Sequence, residues 1–285
     1  MKNTKTLIFY ILTLITLVVI IFASAFIVLS KTLFKTSNAS QTNTTNSSEK
    51  AVQMPITTLA DAHSNLASNN DVPILMYHYI RNVNPTTDKL GYNLSVTPTN
   101  FENQLSWISE QGYKTITLNS YCSNPKLAPD KSIILSFDDG YRDAFNNALP
   151  ILTKYNFIGT FFIIKSKIDR LNYLTSNQIS QMTAAGMEFG SHTVTHPNLA
   201  LAKIDKIKSE LTESKQNSPV FAYPSGKYNQ IALQLTKEAG YICAVTTNNG
   251  VAKSNSSLFE LPRIRVSGNT TLETFKKSIL TGKGL

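Results

Sequence analysis

The chain has few of the residues that announce a site cheaply. It holds two cysteines and four histidines in 285 residues, and 18 acidic side chains against 27 basic ones. Cys122 and Cys243 are too few for a disulfide framework. They read as two buried thiols, with a single disulfide outside the cell as the alternative that spacing cannot test. There is no internal repeat. No glycine-rich loop follows any apolar strand, which argues against a nucleotide fold. The formal charge is +9, yet aromatic and basic residues are not interleaved, so no nucleic-acid partner is expected. Outside a cell such a basic domain would be drawn to anionic wall polymers or lipid head groups.

What is present starts with apolar residues. They make up 42% of the chain, ample for one large domain plus appendages. Leu7 to Ser30 carry no charge over 24 positions. As a helix this run would span ~36 Å, more than the ~30 Å of a bilayer core. Lys2 and Lys5 precede it and set the N-terminus on the cytoplasmic side, a bias weakened by Lys31 and Lys35. A signal peptide cut near Ala23-Ser24-Ala25 is the rival, but Phe26-Ile27-Val28-Leu29 continues the apolar run. The expectation is a single-pass membrane anchor over 1–31, with the rest of the chain extracytoplasmic. A secreted protein follows if the segment is cleaved. Residues 32–71 are rich in Ser, Thr and Asn and read as a flexible linker.

From Val72 strand and helix patterns alternate. Pro73–Ile80 reads as a buried strand, Thr97–Gly112 as a capped helix, and Ser132–Phe137 as a strong strand. Tyr141–Tyr155 reads as helix and Ile158–Ile164 as strand. Thr175 and Gln178 form a capping-box pattern opening a helix that Gly186 follows. Strand and helix then alternate to a final helix at Thr271–Leu280. The pattern predicts an α/β fold, a distorted parallel (β/α) barrel of about seven strands over 72–285. In such a barrel a site forms at the C-terminal ends of the strands.

Two motifs fall at such ends. Asp138 and Asp139 follow the strand Ile133-Ile134-Leu135, and Gly140 follows them. Successive side chains of extended backbone point oppositely, so the two carboxylates can take different roles. Asp-Asp-Gly is also ordinary turn chemistry. His192 and His196 stand four apart just after Phe189-Gly190. Two imidazoles and one carboxylate suit a divalent metal with open positions, and a second carboxylate beside it suits a general base.

Phe-Asp-Asp-Gly after an apolar strand, then Gly-Ser-His-Thr-x-x-His some fifty residues on, resembles the NodB-type polysaccharide deacetylases, family 4 of the carbohydrate esterases. Phe221-Ala222-Tyr223-Pro224-Ser225-Gly226 falls where that family has its third motif. The resemblance covers about Pro73 to Lys277, and looks closest to the poly-N-acetylglucosamine deacetylase branch. It implies a distorted barrel, Asp138 as general base, and Asp139, His192 and His196 as ligands of a divalent metal. Zinc leads, with Ni2+, Co2+ or Mn2+ as alternatives. It also implies a backbone N–H near Ser225 at the oxyanion. Tyr141, directly after Asp-Asp-Gly, is a candidate to stack on a sugar ring, and Tyr223 and Pro224 are further candidate substrate contacts, with core or rim packing the alternative for Tyr223. The substrate would be an acetylated glycan polymer, such as poly-N-acetylglucosamine or peptidoglycan. O-acetyl ester hydrolysis on a polymer such as xylan is the runner-up, and a non-catalytic glycan-binding module the third reading.

The chain departs from the family pattern twice. Ala222 stands where many members carry Arg, and no histidine follows His196 to protonate a leaving amine. The late region reads Glu260-Leu261-Pro262-Arg263-Ile264-Arg265 instead. His78, at the end of the first strand, is the candidate general acid. Oligomeric state is not legible.

Overall fold

The computed structural model describes residues 71–283, apart from Gln216. The expected anchor over 1–31 and the linker up to residue 70 lie outside the described residues. Among the described residues, no helix is long and apolar enough to cross a membrane.

The described residues form ten strands in chain order: β1 (Ile74–Tyr77), β2 (Tyr79–Ile80), β3 (Ser95–Val96), β4 (Lys114–Thr115), β5 (Ser132–Phe137), β6 (Thr160–Ile163), β7 (Glu188–Ser191), β8 (Val220–Ala222), β9 (Cys243–Asn249) and β10 (Leu261–Arg265). β1 pairs in parallel with β5 on one side and β10 on the other. That closes a seven-strand parallel ring in the order β1, β5, β6, β7, β8, β9, β10. β4 adds two residues beside the start of β5, and β2 and β3 form a separate parallel pair.

Period-two alternation sorts every strand into two faces. Ile74, Ile134, Phe162, Val220, Ala222, Cys243, Val245 and Leu261 pack together as one buried cluster inside the ring. Their neighbours Leu75, Leu135, Phe161 and Ile264 turn outward under the helices. Gly190 is required by this interior, because a Cβ there would sit 2.4 Å from the Phe162 ring.

The floor is closed by the short helix Leu118–Ser123, whose Leu118, Tyr121 and Cys122 join the interior cluster. Thr117 caps it, and the Glu188 carboxylate accepts from Leu118 N at 3.0 Å and Asn119 N at 3.1 Å. Cys122 is bonded to Cys243 of β9, with Cα atoms 6.1 Å apart. This corrects the expectation of two free thiols. The partners are 121 residues apart in sequence, and only barrel closure brings them together.

The expected helix over Tyr141–Tyr155 is shorter. A wide π turn covers Ala144–Ala148 and the α-helix runs only from Leu149 to Lys154. Pro150 has no N–H to give the carbonyl four residues back, so the regular ladder cannot pass through it.

Candidate active site

Extending the inward-facing rows upward gives the site. Ile74 and Met76 lead to His78, Ile134 and Ser136 to Asp138, Gly190 to His192, and Leu261 to Arg263 and Arg265. Arg263 stays buried, and the others emerge at the C-terminal mouth, in a cavity of about 380 Å³ lined by His78, Asp138, Asp139, Tyr141, His192, His196, Ser225 and Arg265, with Leu94 and Thr247.

Asp138 is 4% exposed and receives both arms of Arg263. Arg263 donates Nη1 to Oδ1 and Nη2 to Oδ2, each at 2.7 Å. Its Nη1 also reaches Ser136 Oγ at 3.1 Å, and its Nε donates to the Thr246 carbonyl at 2.8 Å. The pairing of β9 with β10 shifts register between Leu261 and Arg263, and this irregularity leaves Thr246 O free to receive that bond. Burial would raise the Asp138 pKa, but the guanidinium outweighs it and holds the carboxyl well below the usual range.

Asp139 is turned out of strand geometry by a φ of 73°. Its Oδ1 lies 3.5 Å from His192 Nε2 and 3.6 Å from His196 Nε2. Those separations are close to the ~3.4 Å edges of a tetrahedron built on ~2.1 Å zinc–ligand bonds. The three residues are the candidate metal centre, with ligand atoms within 4.8 Å of one another. His192 Nδ1 lies 2.7 Å from the Ala222 carbonyl, a contact that puts the proton on Nδ1 and leaves Nε2 as a ligand. Among the described residues, eight non-glycine residues have a left-handed φ, and four of them line or build this site (Asp139, Thr193, His196 and Ser225), so the strained backbone gathers here.

His78 faces the same cavity, and its Nδ1 is buried with no hydrogen-bond partner among the described residues. Burial lowers its pKa, opposed by the nearby Asp138 and Asp139 charges. Tyr141 lines the cavity and stacks on Tyr79 at 3.5 Å, with Tyr173 at 5.2 Å beyond it.

Two of the expected substrate contacts are corrected. Tyr223 is fully buried outside the ring, against Phe221 and Tyr228, and Pro224 is buried beside it. Strand parity explains it: Ala222 points inward, so Tyr223 points out. Ser225 does line the cavity, at a φ of 52°. Sequence reasoning assigned no role to Arg263 or Arg265. Counting alternate residues up β10 from Leu261 would have put both on the inner face.

A parallel barrel with a carboxylate pair and two imidazoles at its mouth defines a hydrolase with a candidate metal centre. The family model for polysaccharide deacetylases matches residues 126–244. YxkH of Bacillus subtilis (strain 168), named as a polysaccharide deacetylase, is 32% identical over 207 residues, 69% of this chain and 71% of that one. The poly-beta-1,6-N-acetyl-D-glucosamine N-deacetylase of Staphylococcus epidermidis is 28% identical over 242 residues, 73% of this chain and 83% of that one. The solved structure of the Streptococcus pyogenes deacetylase PplD in complex with acetate is 34% identical, with a TM-score of 0.69, covering 76% of this chain and 100% of that one. The chain belongs to the polysaccharide deacetylase family and is a deacetylase.

Proposed function

We propose that this enzyme is a metal-dependent N-deacetylase acting on N-acetylglucosamine units of a cell-surface or wall polysaccharide, poly-N-acetylglucosamine or peptidoglycan. The observation that carries the reading is the cavity itself, where an arginine-locked Asp138 stands beside Asp139, His192 and His196 with His78 on the same wall. The likeness to the Staphylococcus epidermidis poly-beta-1,6-N-acetyl-D-glucosamine N-deacetylase supports the first substrate.

Asp139, His192 and His196 would hold the cation, zinc first by its donor set, with nickel, cobalt or manganese also suited. A bound cation supplies Lewis acidity, acidifying water and drawing charge from the acetyl oxygen. Asp138, kept ionised by Arg263, takes the proton of the attacking water. A backbone N–H near Ser225 faces the developing oxyanion. His78 gives a proton to the departing amine nitrogen. Tyr141 offers its ring to a sugar at the mouth.

The amide reading is favoured over O-acetyl ester hydrolysis because His78 is present in the cavity. An amine leaves poorly without a proton donor, whereas an alcohol needs one less.

The uncharged N-terminal run and the Cys122–Cys243 bond both support a catalytic domain outside the cytoplasm, held by a single-pass anchor. There it would meet glycan polymer as the polymer emerges.

The test is acetate release from N-acetylglucosamine oligomers by the full chain, with zinc and with chelator, beside Asp138→Asn. Release that needs metal and vanishes in the mutant is expected. Chelator-resistant release would overturn the metal reading, and release only from O-acetyl esters would overturn the substrate.

A further inference from the structure

Between the two imidazoles the chain makes a tight loop of unusual backbone. Thr193 takes a φ of 66° and His196 one of 61°. For threonine and histidine such values cost on the order of 1 kcal/mol or more each, so neighbouring contacts must impose them. His192 is fixed by the barrel: its N–H donates to the Ile163 carbonyl at 3.0 Å, and its ring meets Ala222 O. His196 has no such anchor. Its N–H donates to Thr193 Oγ1 at 2.9 Å, a partner inside the same loop.

Outside the loop, Lys165 N and Ser166 N donate to the Thr193 and Val194 carbonyls, each at 3.0 Å, and one carboxylate receives the donors of Val194 and Thr195. Glu210, on the helix Ile204–Lys215, is 1% exposed. Its Oε2 accepts from Val194 N at 2.7 Å and from Thr195 N at 2.8 Å. Its Oε1 accepts from Thr195 Oγ1 and meets Lys206 Nζ at 2.6 Å. Three of its four partners belong to Val194 and Thr195, the two residues immediately before His196. A buried carboxylate is costly unless fully bonded, and this one is bonded to the loop between the imidazoles.

We infer that Glu210 is the positioning residue of the metal centre, clamping residues 194–195 so that His196 is held against Asp139 and His192. It touches neither ligand ring and acts through the loop. The inference rests on Asp139, His192 and His196 being the metal triad.

The test measures zinc affinity of the full-length protein by chelator competition, the visible spectrum of the cobalt form, and amide exchange of residues 192–198 in metal-free protein. Glu210→Ala is expected to weaken zinc binding by about 10- to 100-fold, the range for residues that orient ligands. It should also alter the cobalt spectrum and speed loop exchange. Glu210→Gln keeps one acceptor oxygen for the amides of Val194 and Thr195 and should recover much of the affinity, so it carries the test if the alanine variant does not fold. Glu188→Gln is the control. That carboxylate is also hydrogen-bonded through several donors, but it stands at the opposite end of β7, roughly 13 Å from His192 at ~3.3 Å per residue. It should cost stability and leave zinc affinity unchanged. Wild-type binding with equally tight binding by both Glu210 variants would overturn the clamp alone. A wild type that binds no metal would overturn the triad, and the clamp with it.

Discussion

Arg263 and Asp138 meet side-on inside the barrel, two nitrogens on two oxygens at 2.7 Å, with neither residue more than 4% exposed. Where many family members supply an arginine from the third motif, this chain has Ala222 there and brings a guanidinium in from β10. A carboxylate with both oxygens engaged by a fixed fork stays ionised and keeps one orientation. Removing one partner of a buried pair leaves the other charge uncompensated, at about 3–5 kcal/mol. Arg263→Met should therefore lower stability by that order in urea unfolding at pH 7. The folded pKa of Asp138 is depressed, so its stabilisation is present above the ordinary carboxylate value near 4 and is lost as pH falls below it. The gap between wild type and Arg263→Met should accordingly shrink in acid. A gap that stays constant from pH 7 to pH 3 would count against the pair as its source.

His78 should reveal itself by substrate rather than by metal. His78 lines the cavity but is not one of the three grouped ligands, so His78→Ala leaves the ligand set complete. General acid catalysis contributes about 10²–10⁴-fold. We expect a loss of at least about 100-fold in kcat on an N-acetyl substrate and a much smaller loss on an O-acetyl ester. Because burial pulls the His78 pKa below its ordinary 6.5, the acid form is lost early as pH rises. The falling limb of kcat on the amide should lie on the acidic side of that value and disappear in the mutant. Equal losses on both substrates, or a parallel loss of metal, would remove His78 from the role.

The inner face of this barrel was largely legible in the sequence, and the partnerships across it were not. Ser132–Phe137 and the Thr175–Gln178 capping box stand where local pattern put them, because strand alternation and cap chemistry are decided within a few residues. Asp138, Asp139, His192 and His196 were legible as a group because motif spacing marks strand ends. Arg263 was passed over because its meaning depends on β10 closing against β1, across 125 residues from Asp138. The helix Leu118–Ser123 had no reading from local pattern, since it is stabilised by Glu188, some 70 residues away. Tyr223 was misplaced for the opposite reason: motif position was followed where strand parity already pointed outward.

The Cys122–Cys243 bond ties the floor helix to β9, closing a loop whose ends are 121 positions apart in sequence. In the chain-entropy account a cross-link of that span stabilises by about 4–5 kcal/mol, and measured values usually fall lower, at about 2–4 kcal/mol. Cys122→Ser with Cys243→Ser should lower stability by that order in denaturant unfolding, to the same level as wild type unfolded in reductant. Both sulfurs are buried beneath the site, with Cys122 5% and Cys243 0% exposed. Zinc affinity of the folded double mutant should therefore be unchanged. Unfolding curves that coincide with and without reductant would mean that the bond does not form in the protein.

Asp143 gives a stability effect of opposite sign to Asp138. Its Oδ2 accepts from Ile80 N, at the end of β2, while Asn147 Nδ2 donates to Ile80 O at 2.7 Å. Together they hold the segment that follows His78. Burial raises the Asp143 pKa to about 6, against the hydrogen bond from Ile80 and the charge of Arg81. An acid whose folded pKa is raised binds its proton more tightly in the folded state. Its contribution to stability is therefore greatest below the ordinary value near 4 and is lost as pH climbs through about 6. Asp143→Asn keeps an oxygen for Ile80 N and carries no charge to desolvate. The variant should be more stable than wild type at pH 8, on the order of 1 kcal/mol, and the advantage should vanish by about pH 4. Thermal unfolding of both proteins across that window decides it: a variant less stable at pH 8 would mean that the ionised carboxylate holds Ile80 more strongly than burial opposes it.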